Sequence, residues 1–136
     1  MGVYDVNVIS VFIAAIASTV IGIVWFSPAL FGKAWMKLSG ISTKDMEKAK
    51  QNMTSGYLGS FIAALVTAYV LGVFLNLTKT TNALDGAILG GWAAIGFVAT
   101  TTLSKVLWEG KPLSLYLISN AHVFIAFIVM GWILAS

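Results

Sequence analysis

Four runs of the sequence, Val6 to Phe26, Ser55 to Asn76, Ala83 to Ser104 and Leu113 to Ala135, carry one formal charge between them, Asp85. Each has about 20 residues, the length that crosses the hydrocarbon core of a bilayer as a helix. In lipid no water satisfies a bare N–H or C=O, so each run must close its own hydrogen bonds, and a helix does that. The alternation that a β-barrel needs is missing. Composition agrees: the 136 residues are 59% hydrophobic and 10% charged, where a soluble domain carries about 25% charged residues. A soluble fold of this size has no interior large enough for that much apolar surface. The expected fold class is an all-α membrane protein, a single domain over 1–136 with four transmembrane helices in an up-down bundle.

Lysine placement predicts the orientation. Lys33, Lys37, Lys44, Lys48 and Lys50 lie between the first two spans, and Lys105 and Lys111 flank the turn between the last two; only Lys79 lies elsewhere. The positive-inside rule makes the lysine-rich side cytoplasmic. Both termini are then outside, in a multi-pass protein of the inner (cytoplasmic) membrane. The opening MGVYDVNVIS has no lysine leader, so the first span reads as retained rather than cleaved.

The stretch WFSPALFGKAW predicts a short interfacial helix over about 28–39. Ser27 suits the N-cap and Pro28 the first helical position. Phe31, Ala34, Trp35 and Leu38 share one face, with Lys33 and Lys37 on another, as a helix lying in the headgroup region requires. Gly40 ends it. Next, Ser42 and Asp45 form a capping box for a helix over about 43–54, striped by Met46, Ala49 and Met53. It leads into the second span, with a bend expected at Thr54-Ser55-Gly56. Asn82 or Thr81 caps the third span, with Asp85 in its first turn, and Pro112 opens the fourth. Gly86, Gly90 and Ala94 make a small-residue stripe for close helix packing, inside the bundle or between subunits.

VWFSPALFGKAWMKLSG, AALVTAYVLG and VLWEGKPLSLYLISNAHVFIAFIVMGWIL together resemble the bacterial membrane-protein family known as domain of unknown function 1761. The likeness rests on the Trp-Phe-Ser-Pro…Phe-Gly-Lys-x-Trp-Met stretch and on the late Glu-Gly-Lys-Pro turn followed by Asn and Met-Gly. It implies a membrane-embedded helical chain and brings no activity with it.

The candidate functional residues are polar groups in or beside the spans. His122 stands within the fourth, where an ionisable group is costly and a functional role is the default hypothesis. It either relays protons or binds a ligand, or bonds to another helix with Ser119 on the same face. Tyr116 and Asn120 share a stripe expected to meet span one or three. Thr100, Thr101, Thr102 and Ser104 either line a polar path or bond their own helix. Lys105 and Glu109 are four apart and can pair on a helical face. With Lys111 and Trp108 they make the densest polar turn, and Ser27, Pro28 and Lys33 on the same side join it in one patch. Trp25, Trp35 and Trp108 read as interface anchors.

Other chemistry is excluded or disfavoured. There is no cysteine, no arginine and one histidine, so no metal site and no cofactor are expected. No paired carboxylates or nucleophile–base pair stand in a span, and no enzyme is expected. The net charge of +3 reports orientation rather than nucleic-acid binding. The expected partners are the lipid bilayer, further copies of the chain, and a small solute or ion. The function expected is a homo-oligomeric channel or small-solute or ion transporter. The alternative is an accessory protein that docks a partner through the 43–53 helix and the Phe31–Leu38 face.

Overall fold

The structure, a computed structural model, describes residues 2–136, apart from the side chains of Thr43, Met46 and Ala49. The apolar stripe expected of Met46, Ala49 and Met53 therefore lies outside the described residues. Four long apolar helices run Val8–Trp25, Met53–Leu77, Ala83–Leu107 and Leu113–Ala135, referred to below as the first to fourth spans. A surface helix, Gly32–Ser39, and a capped helix, Thr43–Gln51, join the first span to the second. No strand occurs among the described residues.

Local chemistry sets the ends. The Asn7 Oδ1 accepts from the N–H groups of Ile9 and Ser10 at 2.9 and 3.2 Å, satisfying two of the orphan donors at the start of the first span. Ser42 and Asp45 form the reciprocal capping box. Asn82 Oδ1 accepts from the Asp85 N–H at 2.9 Å, and its Nδ2 donates to the Asp85 carboxylate at 2.7 Å. Gly40 closes the surface helix in the left-handed region, φ 71°, where a side chain would add strain.

Two boundaries differ from the sequence expectation. Ser27 does not cap a helix: its Oγ donates backward to the Val24 carbonyl at 2.7 Å, and Pro28 lies in a turn. The surface helix starts four residues later, at Gly32. An added Cβ there would overlap the carbonyls of Phe26 and Ser27, so the turn folds flat onto the end of the first span and the helix begins only once past it. The capped helix also stops earlier than expected. It ends at Gln51, and the chain bends at Asn52 (φ −104°, ψ 19°) rather than at Thr54–Gly56.

The fourth span is the centre of the bundle and packs along the other three. The third and fourth make the most extensive pair, followed by first with fourth and first with second. The second and third, although joined by a short turn, meet mainly through contacts such as Phe74 against Phe97, ring centroids 6.2 Å apart. The interior is built from small residues. Ala14, Ala15, Ala68, Ala93, Ala94 and Ala126 are buried, and among the described residues Met130 is the one large side chain that is fully enclosed. Bulky residues point outward instead, among them Ile13, Val20, Val66, Ile88, Trp92 and Leu117. Where the solvent is lipid, sequestering leucines gains nothing, and association rests on close backbone approach and dispersion.

That approach is tightest between the third and fourth spans. A Cβ on Gly86 would meet the Gly131 carbonyl, one on Gly131 the Gly86 carbonyl, and one on Gly90 the Phe127 carbonyl. The Gly86, Gly90 and Ala94 stripe is thus spent inside the bundle. At the other end of the same spans the third helix loosens. Residues Ala94–Ala99 form a π-helical segment in which the Thr100 N–H reaches back to Ile95, and Leu103 interrupts the helix again before Ser104–Leu107.

The residues before the first span lie against the second. Asn76 Nδ2 donates to the carbonyls of Val3 and Asp5 at 2.9 and 3.1 Å, and the Tyr69 hydroxyl to that of Tyr4 at 3.1 Å. Val6 covers the bare backbone of Gly72.

Candidate functional site

The polar side chains gather at the lysine-bearing end of the bundle, around the loosened part of the third span. The hydroxyls of Thr100, Thr101 and Thr102 donate to carbonyls four residues back at 2.7, 2.7 and 2.8 Å. Hydroxyls bonded this way are largely absorbed by their own helix. Thr102 also lies 3.2 Å from Asn120 Oδ1 across the helix interface, and Asn120 Nδ2 donates to the Tyr116 carbonyl at 3.0 Å. The Tyr116 hydroxyl donates to the Ala99 carbonyl at 2.6 Å, at the last residue of the π segment. A widened turn disturbs the regular ladder, and in a membrane such groups must find partners in the neighbouring helix. The Tyr116–Asn120 stripe thus faces the third span.

Thr102, Tyr116 and Asn120 form the floor of a cavity of about 290 Å³. Val98, Leu115 and Val123 give it apolar walls, Ser119 adds a hydroxyl, and Trp35 and Ser39 of the surface helix cover one side. Lys105, Glu109 and Lys111 stand at its mouth and are exposed. The helical Lys105–Glu109 pairing expected from the spacing is not formed on one face, because the helix ends at Leu107 and Glu109 lies in the following turn. The turn is set by Gly110, φ 69°, and closed by the Lys111 N–H donating to the Lys105 carbonyl at 3.0 Å. Two ammonium groups and one carboxylate are therefore presented to the same opening, a net positive mouth above an apolar, hydroxyl-dotted pocket. Among the described residues no group of three or more His, Asp or Glu side chains is placed to hold a metal ion.

The single patch expected from the sequence is divided by Trp35. On its far side Phe26, Pro28, Gly32, Lys33 and Met36 line a separate groove of about 400 Å³, so Lys33 does not share the cavity with Lys105 and Lys111. Ser27 lines neither. Trp108 is 87% exposed, beyond the end of the third span. Trp25 turns inward: its indole Nε1–H donates to the Ile118 carbonyl at 3.0 Å, tying the first span to the fourth. Its ring stacks obliquely on Phe31, centroids 4.6 Å apart.

His122 faces away from the Asn120 cavity. It packs edge-on to Phe26, centroids 5.1 Å apart, over Gly22, whose added Cβ would sit 3.2 Å from Nε2. The Nε2 is buried with no hydrogen-bond partner among the described residues. The helix-to-helix bond expected for it is not made at that atom, and Ser119 lines the other cavity. Residues that the sequence did not single out, Ser18, Thr19, Tyr57 and Ser60, line a further cavity of about 320 Å³ beside His122. The i, i+3, i+7 recurrence of Tyr57, Ser60 and Ala64 is the sequence signal for a mixed face there.

A small-residue interior, apolar flanks and four helices long enough to span define a multi-pass membrane protein. The chain belongs to the family described as protein of unknown function (DUF1761), whose model matches residues 9–135. Comparison with the curated proteins and with the solved structures finds no match.

Proposed function

We propose that the chain is a homo-oligomeric, non-enzymatic transporter for a small organic anion, and that the cavity floored by Tyr116 and Asn120 is its solute site. The observation that carries this reading is the combination of Lys105 and Lys111 at one mouth with a floor closed by interhelical hydrogen bonds. Beyond that floor the third and fourth spans meet backbone to backbone at Gly86, Gly90 and Gly131, which closes the seam between these two helices. A pocket open at one end suits a carrier that alternates between states better than an open pore. The π segment beside the floor supplies irregular backbone where a moving helix needs it. A route past the glycine crossing requires rearrangement of the third span or a second copy.

The solute chemistry follows from the lining. Two ammonium groups against one carboxylate favour a carboxylate or phosphate, and Val98, Leu115, Val123 and Trp35 favour a short apolar body. The lysine-rich face is assigned to the cytoplasm by the positive-inside rule. With no native cysteine, single substitutions of Lys50 and Ser136 by cysteine give a clean readout in intact cells. A membrane-impermeant maleimide is expected to label position 136 and not position 50; the reverse pattern would overturn the orientation.

Transport itself is tested in proteoliposomes with butyrate, benzoate and phenyl phosphate. Saturable uptake of at least one, absent from protein-free vesicles, is the expected result. No uptake of any of the three would refute anion transport. It would shift weight to the accessory reading, which the projecting capped helix with exposed Lys44, Lys48 and Lys50 favours.

A further inference from the structure

We propose that the cavity beside His122 is a second, lipid-accessible site, for a membrane-soluble molecule with a flat ring bearing a carbonyl or hydroxyl oxygen. The motivating feature is an unmade bond. His122 Nε2 is buried and has no partner among the described residues, and a buried polar atom left without one costs more than an average hydrogen bond gains. A ligand oxygen that engages this nitrogen recovers that cost, whether it accepts from Nε2–H or donates to the bare nitrogen.

The surroundings fit such a guest. The cavity holds about 320 Å³, within the range of small-molecule sites. Phe26 and Tyr57 give it aromatic walls, and Ser18 and Ser60 add hydroxyls. Aromatic edges and faces select a planar ring. The site lies between the first and second spans, and Ile23, Tyr57 and Ser60 on its rim are exposed, so access is from the bilayer rather than from water. Nε2 now lies against the bare backbone of Gly22 and the ring packs edge-on to Phe26, and χ2 of histidine is soft. The ring swings from Gly22 toward the cavity as the ligand oxygen arrives. The site is separate from the Lys105–Lys111 cavity and stands or falls independently of the transport reading.

His122 is the only histidine, so one imidazole signal reports the site without ambiguity. The protein, labelled with 15N-histidine in nanodiscs, is titrated with decylbenzoquinone, 4-decylphenol and, as a greasy control, decylbenzene. The first two arms separate a carbonyl guest from a hydroxyl guest. Saturable movement of the Nε2 resonance with either oxygen-bearing probe, and none with decylbenzene, is the expected result. Binding of the same probe measured by equilibrium partition should weaken about 10-fold or more in Ser60→Leu, which fills the cavity from the second span and leaves His122 in place. His122→Phe should weaken it comparably. No saturable shift with either oxygen-bearing probe overturns the proposal, as does equal binding of decylbenzene. Unchanged affinity in Ser60→Leu overturns it even if His122→Phe fails to fold.

Discussion

Gly90→Val should leave little folded protein. Its first side-chain carbon would overlap the Phe127 carbonyl of the fourth span. Backbone cannot yield there as the end of a flexible side chain can, so the two helices must separate. The expected loss is about 3 kcal/mol or more, a large part of a typical total stability of about 5–15 kcal/mol. The matched control is Gly59→Val in the second span, where an added Cβ meets nothing within 4 Å. Unfolding followed by circular dichroism in detergent should show Gly59→Val near the wild-type midpoint and Gly90→Val far below it or never folded. Coincident midpoints for Gly90→Val and wild type would mean that the third and fourth spans do not cross at this point.

Neutralising both lysines at the cavity mouth, Lys105→Gln with Lys111→Gln, is expected to weaken anion uptake about 100-fold. Each charge-assisted contact contributes on the order of 1.5 kcal/mol, or about tenfold. Both residues are exposed, so the double variant should melt like wild type, separating a lost contact from a lost fold. Glu109→Gln should act in the opposite direction, because it removes the one carboxylate facing the same opening. Raising the salt concentration should weaken wild-type uptake more than that of the double variant, since exposed charges are screened. Undiminished uptake in the double variant would remove the mouth from the solute path.

Much of the architecture was legible in the residues, and the reasons are local. The four spans follow from length and hydropathy. Asn82 with Asp85, Ser42 with Asp45, and Gly40 announce helix ends through chemistry contained within a few residues. The small-residue stripe at Gly86 and Gly90 declared a close approach, although not to which span. What stayed hidden is non-local. In these spans the sides facing lipid and the sides facing protein are both apolar, so no amphipathic stripe reveals which helix meets which. The central place of the fourth span, the strip around Val3 to Asp5 held by Asn76, and the cavity between His122 and Tyr57 all arise that way. The start of the surface helix was missed for a different reason. Ser27-Pro28 has good capping chemistry, but Gly32 lets the chain fold back on Phe26 first, and packing overrode local preference.

The polar residues behaved likewise. Tyr116, Asn120, Lys105, Glu109 and Lys111 do share a cavity, since an i, i+4 stripe and a short turn bring them together whatever the partner helix. Pro28 and Lys33 do not join them, because Trp35 stands between, and the Ser27 hydroxyl is turned back to Val24. Sequence can place residues on the same membrane side; it does not reveal a wall between them.

The helix on which the other three rest is the last of the four to leave the ribosome. Until it arrives, the indole of Trp25 lacks the carbonyl of Ile118, and the bare backbone at Gly86 and Gly90 has nothing to lie against. Assembly in the membrane therefore closes late, as an arch does with its keystone. A nascent chain stalled before Leu113 would have its first two spans paired and the glycine face of the third left bare to lipid.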